Sequence, residues 1–320
     1  MNEALRLMRR LVRRWGYEIK KADDYVLRPV AGFDAAAGLR DMRVAFDRDT
    51  PWTDELDTRR LTVFLRTCLR AHRNPDKRPR VTGASDEENA LRCLLSTVTS
   101  LNDAAAARGA EALEVVVLDD RSEPRALARL KELLERLACR CSVHETRDTG
   151  PGGSLIEEFT RARALSTLVY FCEDDYLHEP GAVAEMWDFF ERVARTTGGP
   201  SMLAPQEHHT LYEAHYPSYI FAGATRRWRT VSDATHTFLT HGRVVDRFWR
   251  LFEDTKYMGT TKRHLASEKR TTNRLTEHLP GFAPIPPLAV HLQYAELLPP
   301  LYDWRPLWEA NRVYVEGHAL

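Results

Sequence analysis

Thr167 to His178 reads TLVYFCEDDYLH, a run of strand-forming residues that stops at three consecutive carboxylates, Glu173, Asp174 and Asp175. Thr, Leu, Val, Tyr, Phe and Cys in series suit a strand buried on both faces, as in a parallel sheet. Like charges a few ångströms apart repel, so three acids at the end of such a strand call for a cation between them. In open α/β sheets ligands bind beyond the carboxyl ends of the strands. A hard divalent ion carrying a phosphate ligand answers both demands. The plain alternative is an acidic turn capping a helix that starts near Pro180, which accounts for one or two acids better than for three.

The elements that must hold these acids are legible upstream. LTVFLRTCL (61–69) reads as a strand, and the basic stretch Arg70 to Arg80, with two prolines, as a loop. Ser85-Asp-Glu-Glu88 forms a capping box for a helix whose inner face carries Leu91, Leu94, Leu95, Val98 and Leu101. LEVVVLDD (113–120) is a second strand, and Pro124 opens a helix with Leu127, Leu130, Leu134 and Leu137 at helical spacing. CSVHET (141–146) is a third strand, followed by a Gly-Pro-Gly-Gly turn and a helix capped by Ser154 and Glu157. The acidic strand comes fourth, then a helix over about 181–197 and a strand at Met202 to Ala204. Strands alternating with amphipathic helices predict an α/β fold with a mostly parallel sheet and right-handed crossovers. With no GxGxxG after the first strand and no GxxxxGK[ST], the pattern argues against a dinucleotide oxidoreductase and a P-loop enzyme.

Composition narrows the class further. Lys plus Arg and Asp plus Glu each number 46, so no net field favours nucleic acid as a partner. Five cysteines without framework spacing fit a reducing cytosol, and no apolar run reaches membrane-spanning length. A cytoplasmic protein is the expectation. Residues 1–21 are basic and place Leu5, Met8, Leu11, Val12 and Trp15 on one stripe. Such a helix either lies on an anionic membrane surface, giving peripheral contact at the inner face, or packs on the body or on a second subunit of a homo-oligomer.

Taken in order, Arg66-Thr67-Cys68, then Asp119-Asp120-Arg121-Ser122, then Glu173-Asp174-Asp175 resemble the nucleotide-sugar half of GT-A glycosyltransferases of the family 2 type. That pattern has a first strand ending in Pro-Thr-Tyr, a second reading Asp-Asp-Gly-Ser and a later acidic triplet. Arg66, Cys68 and Arg121 depart from it, at the positions of the Pro, the aromatic and the Gly. The resemblance covers roughly residues 60 to 205 and implies a GT-A, Rossmann-like sheet flanked by helices. Residues 1–58 then form an N-terminal helix and linker, 59–205 the nucleotide-sugar half, and 206–320 the acceptor-binding part of the same domain. It also implies that Thr67, Asp119 and Asp120 line the nucleoside pocket, with Glu173 facing the ribose or a metal-bound water. Asp174 holds the turn, and Asp175 binds Mn²⁺ or Mg²⁺, which neutralises the leaving diphosphate. The Gly150–Ser154 turn, ahead of a helix, is a second place for phosphate.

The remainder is expected to bind a saccharide or other hydroxyl acceptor and to supply the base. An inverting transfer needs a carboxylate opposite the leaving group. Glu268, at the start of a helix over Ser267 to Leu275, fits that placement, with Asp233 in reserve; Glu268 could equally serve only its helix dipole. His291 is the best match to a late metal-binding His, although a lone His between apolar residues is more often structural. YPSYIFAG and ATHTFLTH look like strands, VVDRFWRLFED like a helix, and Trp228 between arginines like a sugar-stacking platform. The cluster Glu207-His208-His209 lacks ligand spacing. The function implied is transfer of a sugar from a nucleotide-diphospho-sugar to a hydroxyl, in a bacterial surface-polysaccharide or glycoconjugate pathway. A sugar-1-phosphate nucleotidyltransferase and a non-catalytic binding module on the same fold are the competing readings.

Overall fold

The computed structural model describes Met8, Val12, Trp52 and residues 54–69, 80–213 and 218–313. Apart from Met8 and Val12, the basic segment 1–21 lies outside the described residues, as do most of the linker assigned to 22–58 and most of the basic loop 70–80. The strands and helices of the sheet all belong to one compact unit, Arg40–Leu320.

Strands β1 (Leu61–Thr67), β2 (Leu113–Asp119), β3 (Arg140–Glu145) and β4 (Leu168–Glu173) alternate with helices α1 (Asp86–Arg108), α2 (Pro124–Leu134) and α3 (Gly150–Ala162). β1 is buried at every position, as a central strand with both faces covered must be. It pairs in parallel with β2 and β4, and β2 pairs in parallel with β3. The register sets Thr67 opposite Asp119 and Arg66 opposite Glu173. The carboxyl ends of three strands therefore come level, and their polar residues share one rim.

Local chemistry starts and stops these elements where the sequence indicated. Ser85 caps α1, its Oγ accepting the Glu88 N–H at 3.1 Å, and Gly109 ends the helix at φ +94°. Pro124 stands at the first turn of α2. α3 differs: it begins at Gly150, so Gly-Pro-Gly-Gly is its first turn rather than a turn before it, and Ser154 lies inside. Gly152 is required there, because a Cβ would come within 2.5 Å of the Lys256 carbonyl oxygen.

After the acids the chain forms a three-residue strand, β5 (Tyr176–His178), and then helix α4 (Ala182–Thr197). Strands β6 (Met202–Leu203), β7 (Ile220–Ala222), β8 (Arg227–Val231), β9 (Phe238–His241) and β10 (Gly281–Ile285) extend the main sheet. Its order is β3-β2-β1-β4-β9-β6-β10-β8-β7, with β9 antiparallel to β4. β11 (Ala289–His291) pairs instead with β5, setting His291 opposite Tyr176. The fold is α/β, a large sheet whose longest ladders are parallel, flanked by helices. Its core packs α3 and the short helices α5 (Gly242–Arg247) and α6 (Trp249–Glu253) on β4 and β9 through Phe159, Phe171, Phe238 and Phe252. Among the described residues no helix is long and apolar enough to cross a membrane.

Three expectations are corrected. The stretch VVDRFWRLFED is not one helix but α5 and α6, broken at Phe248. Ser267 to Leu275 forms two 3-10 segments, Glu268–Arg270 and Thr272–Glu277. Trp228 belongs to β8 and is fully buried, its ring 4.2 Å from that of Phe189 and nearly parallel to it, so it stacks in the core and not on a sugar. Trp228→Ala is therefore expected to lower stability by about 3–5 kcal/mol in urea denaturation. A loss below about 1 kcal/mol would return Trp228 to the surface.

Candidate functional site

The rim at the ends of β1 and β2 is built by side chains that fasten these strand ends to one another. Asp119 accepts the Thr67 hydroxyl at 2.8 Å, the Ser122 hydroxyl at 2.5 Å and the Ser122 N–H at 2.9 Å. Ser122 Oγ in turn accepts the Leu69 N–H at 2.8 Å. Thr67 and Asp119, both expected at the nucleoside pocket, thus tie β1 to β2. Asp120, next in sequence, is also buried. Its Oδ2 accepts the Gly150 N–H at 2.8 Å, so the first amide of α3, expected to meet phosphate, orients a carboxylate instead.

The acidic triplet carries its own cations. The Arg66 guanidinium, reaching across from β1, lies 2.5 Å from Glu173 Oε1 and 3.2 Å from Glu158 Oε1, and donates to Ser154 Oγ at 3.0 Å. Arg66 and Glu158 are buried, Glu158 completely. Burial pushes the Glu158 carboxyl well up, against the pull of Arg66. Asp174 accepts the Cys68 N–H at 2.9 Å, and burial together with the Asp175 charge raises its pKa to about 6. Asp175 Oδ2 accepts from Arg80 at 2.9 Å, while Oδ1 lies 3.3 Å from His291 Nε2. Burial alone would raise the Asp175 pKa; His291 and Arg80 overcome it and hold the carboxyl well below its usual range. The repulsion among the three acids is thus divided among Arg66, a backbone amide, Arg80 and His291. Glu173, expected at the ribose, is paired to Arg66.

His291 is fixed by Tyr176, whose ring stacks on it at 4.5 Å and whose hydroxyl lies 3.2 Å from Nδ1. That contact follows from the β5–β11 register, which no local sequence signal reveals. The donor set suits a hard divalent cation. A buried carboxylate oxygen faces an imidazole nitrogen, and diphosphate oxygens and water can supply the other ligands. Among the described residues no cluster of three or more His, Cys, Asp or Glu is arranged to hold a metal by itself.

Glu268 is half-buried, its Oε1 3.8 Å from Nδ1 of the buried His236. Burial and the charges of Glu173 and Asp233 raise its pKa. Asp233 accepts from the Asn273 side-chain amide, and Asn273 also accepts the Ala234 N–H at 2.9 Å. His208, set aside in the sequence for want of spacing, is buried within the field of Asp233 and His291. His209 is exposed. Neighbouring Glu207 is buried and accepts the Tyr212 hydroxyl at 2.6 Å. The electrostatics thus link Glu268 with Glu173, Asp233 and His291, residues far apart in sequence. His236 and His208 carried no motif that could have announced them.

The model of the family described as glycosyl transferase family 2 matches residues 88–251, just over half of the chain. The chain belongs to that family. Its fold is similar to that of S. aureus TarS 1-349 in complex with UDP-GlcNAc, at 14% identity, covering 69% of this chain and 55% of that one, with a TM-score of 0.40. It is similar too to the mannosyltransferase PcManGT from Pyrobaculum calidifontis in complex with GDP-Man and Mn²⁺ (15% identity, 67% and 55% covered, TM-score 0.31). A UDP-glucose pyrophosphorylase complexed with UDP-glucose gives 11% identity, 79% and 97% covered, and a TM-score of 0.40. The chain spans 35% of the longer TarS structure. No curated protein matches it.

Two outcomes test the buried network. Arg66→Met strands the acids it pairs and is expected to cost about 3–5 kcal/mol in urea denaturation. Glu158 has a folded pKa raised above its unfolded value, so its stabilising contribution is full below the unfolded pKa and is lost as pH rises through the folded one. Glu158→Gln removes that dependence. The stability difference, variant minus wild type, should therefore move in the variant's favour between about pH 5 and pH 8. A difference that does not change with pH would mean Glu158 is ionised in the fold.

Proposed function

We propose that the protein is a metal-dependent, inverting glycosyltransferase that moves a sugar from a nucleotide-diphospho-sugar to a hydroxyl acceptor. The observation that carries this reading is the junction at Asp175, where Oδ1 faces His291 Nε2 at 3.3 Å beside the strand ends that hold Asp120. Family membership supports the reaction class. In this reading Asp120 binds the base edge, and Thr67 and Asp119 keep the pocket's shape. Asp175 and His291 hold Mn²⁺ or Mg²⁺, which when bound supplies Lewis-acid stabilisation of the diphosphate leaving group. Arg80 and Tyr176 orient those two ligands from behind. Glu173 and Asp174 set the rim's charge and the turn.

Glu268 takes the proton from the acceptor hydroxyl. A raised pKa makes its carboxylate a stronger base. Asp233, held by Asn273, shapes the field around it. Residues 206–320 would contribute the acceptor side, with His208 within reach of the hydroxyl. The donor and acceptor sugars are left open by this chemistry.

Glu268→Gln is expected to reduce transfer by roughly 10²–10⁴-fold while sparing donor binding. Wild-type kcat/KM should fall as pH drops through the raised Glu268 pKa, because only the ionised form accepts the proton. Asp175→Asn should abolish Mn²⁺-dependent thermal stabilisation by nucleoside diphosphates. Transfer that survives Glu268→Gln would move the base elsewhere, and stabilisation that survives Asp175→Asn would remove that residue from the cation site.

A further inference from the structure

Among the described residues one non-glycine residue adopts a positive φ: Arg121, at +53°. An L side chain in that left-handed region crowds its own backbone, and only Gly, Asn and Asp enter it readily. Such strain survives where the surroundings enforce it, and it gathers at binding sites. Here the turn between β2 and α2 is pinned from both sides. Asp120 N–H bonds the Thr67 carbonyl at 2.8 Å, and Ser122 is held by Asp119 through its N–H and its hydroxyl. Arg121 is the one link between two anchored residues, and it takes the conformation they leave.

Its side chain is placed with purpose. Nη1 lies 3.5 Å from Asp120 Oδ1, Nε lies 3.4 Å from Glu145 Oε1, and Nη2 donates to the Arg147 carbonyl at 3.4 Å. All three contacts are long, and the side chain keeps 38% of its surface exposed. Three loose contacts stabilise little, less than a left-handed backbone costs, so self-bracing does not account for the residue. The Asp120 carboxylate beside it is itself aimed by the Gly150 N–H on Oδ2. The end of β2 therefore sets a buried, aimed carboxylate beside a planar guanidinium that is loosely held and partly exposed.

We propose that Arg121 is a nucleotide-binding residue, whose guanidinium contacts the edge of the base next to Asp120. Every nucleobase carries a ring or exocyclic N–H adjacent to a ring nitrogen or carbonyl acceptor, and the pair matches that pattern: Asp120 accepts and Arg121 donates. On binding, the guanidinium exchanges its long contacts with Glu145 and Arg147 for the base. The inference rests on the reading of Asp120 as the base-binding carboxylate.

Binding of UDP, GDP, CDP and ADP, and of the corresponding monophosphates, is measured by calorimetry with Mn²⁺ present for wild type, Asp120→Asn, Arg121→Gly and Arg121→Asn. Asn keeps the left-handed conformation without the guanidinium and without glycine's added freedom. Both Arg121 variants are expected to bind the preferred nucleotide about tenfold more weakly while melting no lower than wild type. The loss should be equal for the monophosphate and the diphosphate. A loss confined to the diphosphate would put Arg121 on phosphate and overturn the proposal, as would full affinity in both variants or a lowered Tm in both. If wild type binds none of the nucleotides, or Asp120→Asn binds as tightly as wild type, the reading of Asp120 fails and the inference with it. Weakened Asp120→Asn beside unchanged Arg121 variants sinks the inference alone.

Discussion

The ion pair between Arg66 and Glu173 is the constraint on which the site depends. Two strands in parallel register bring a guanidinium and a carboxylate together at the point where the sheet ends. Without it, β4 would finish in an uncompensated Glu173 carboxylate at the edge of a buried core. With it, the first acid is neutralised inside the sheet, and the other two can turn outward to a backbone amide and to Arg80 and His291. Glu158 adds a second carboxyl to the same guanidinium from α3, so the helix whose first amide aims Asp120 is tied to the strand that carries the triplet. The end of β2 and the acidic junction thereby share one support, and a displacement of α3 would disturb both.

This division of charge also changes what the triplet is. Three adjacent acids suggest three ligands, yet their partners give them unlike protonation behaviour: Asp174 is pushed up to about 6, while Asp175 is held well below its usual range. A permanently ionised carboxylate facing an imidazole is suited to hold a cation, and a carboxyl raised by its neighbour's charge is suited to hold a turn. Environment, not residue type, separates the two.

Much of the fold was legible because it follows from local rules. Ser85 caps α1, Pro124 starts α2, and buried strands of Val, Leu and Phe end in acids, all features that depend on residues close in sequence. Of the candidate site, the strand ends could be read: Asp120 and Asp175 stand where β2 and β4 stop, as their positions in the sequence indicated. What stayed hidden depends on register and on distant partners. Arg66 looked like a departure from a family pattern until β1 was set beside β4. Trp228 looked like a platform because the arginines around it suggested an exposed strand, whereas β8, paired with β10, is buried from Trp228 to Val231. β5 is three residues long, too short for any periodicity to announce.

That short strand decides what holds the acidic junction together. β5 is paired by β11, and the apolar side of the pair is closed by Leu177, Val290, Leu292 and Trp308, with Arg92 of α1 lying over the Trp308 ring at 4.3 Å. His291 reaches Asp175 only through this clasp, made between segments more than a hundred residues apart. The ladders that join β1 to β2 and β4 do not depend on it. Loosening β11 from β5 would therefore part the imidazole from the Asp175 carboxylate while the strand ends stayed in register.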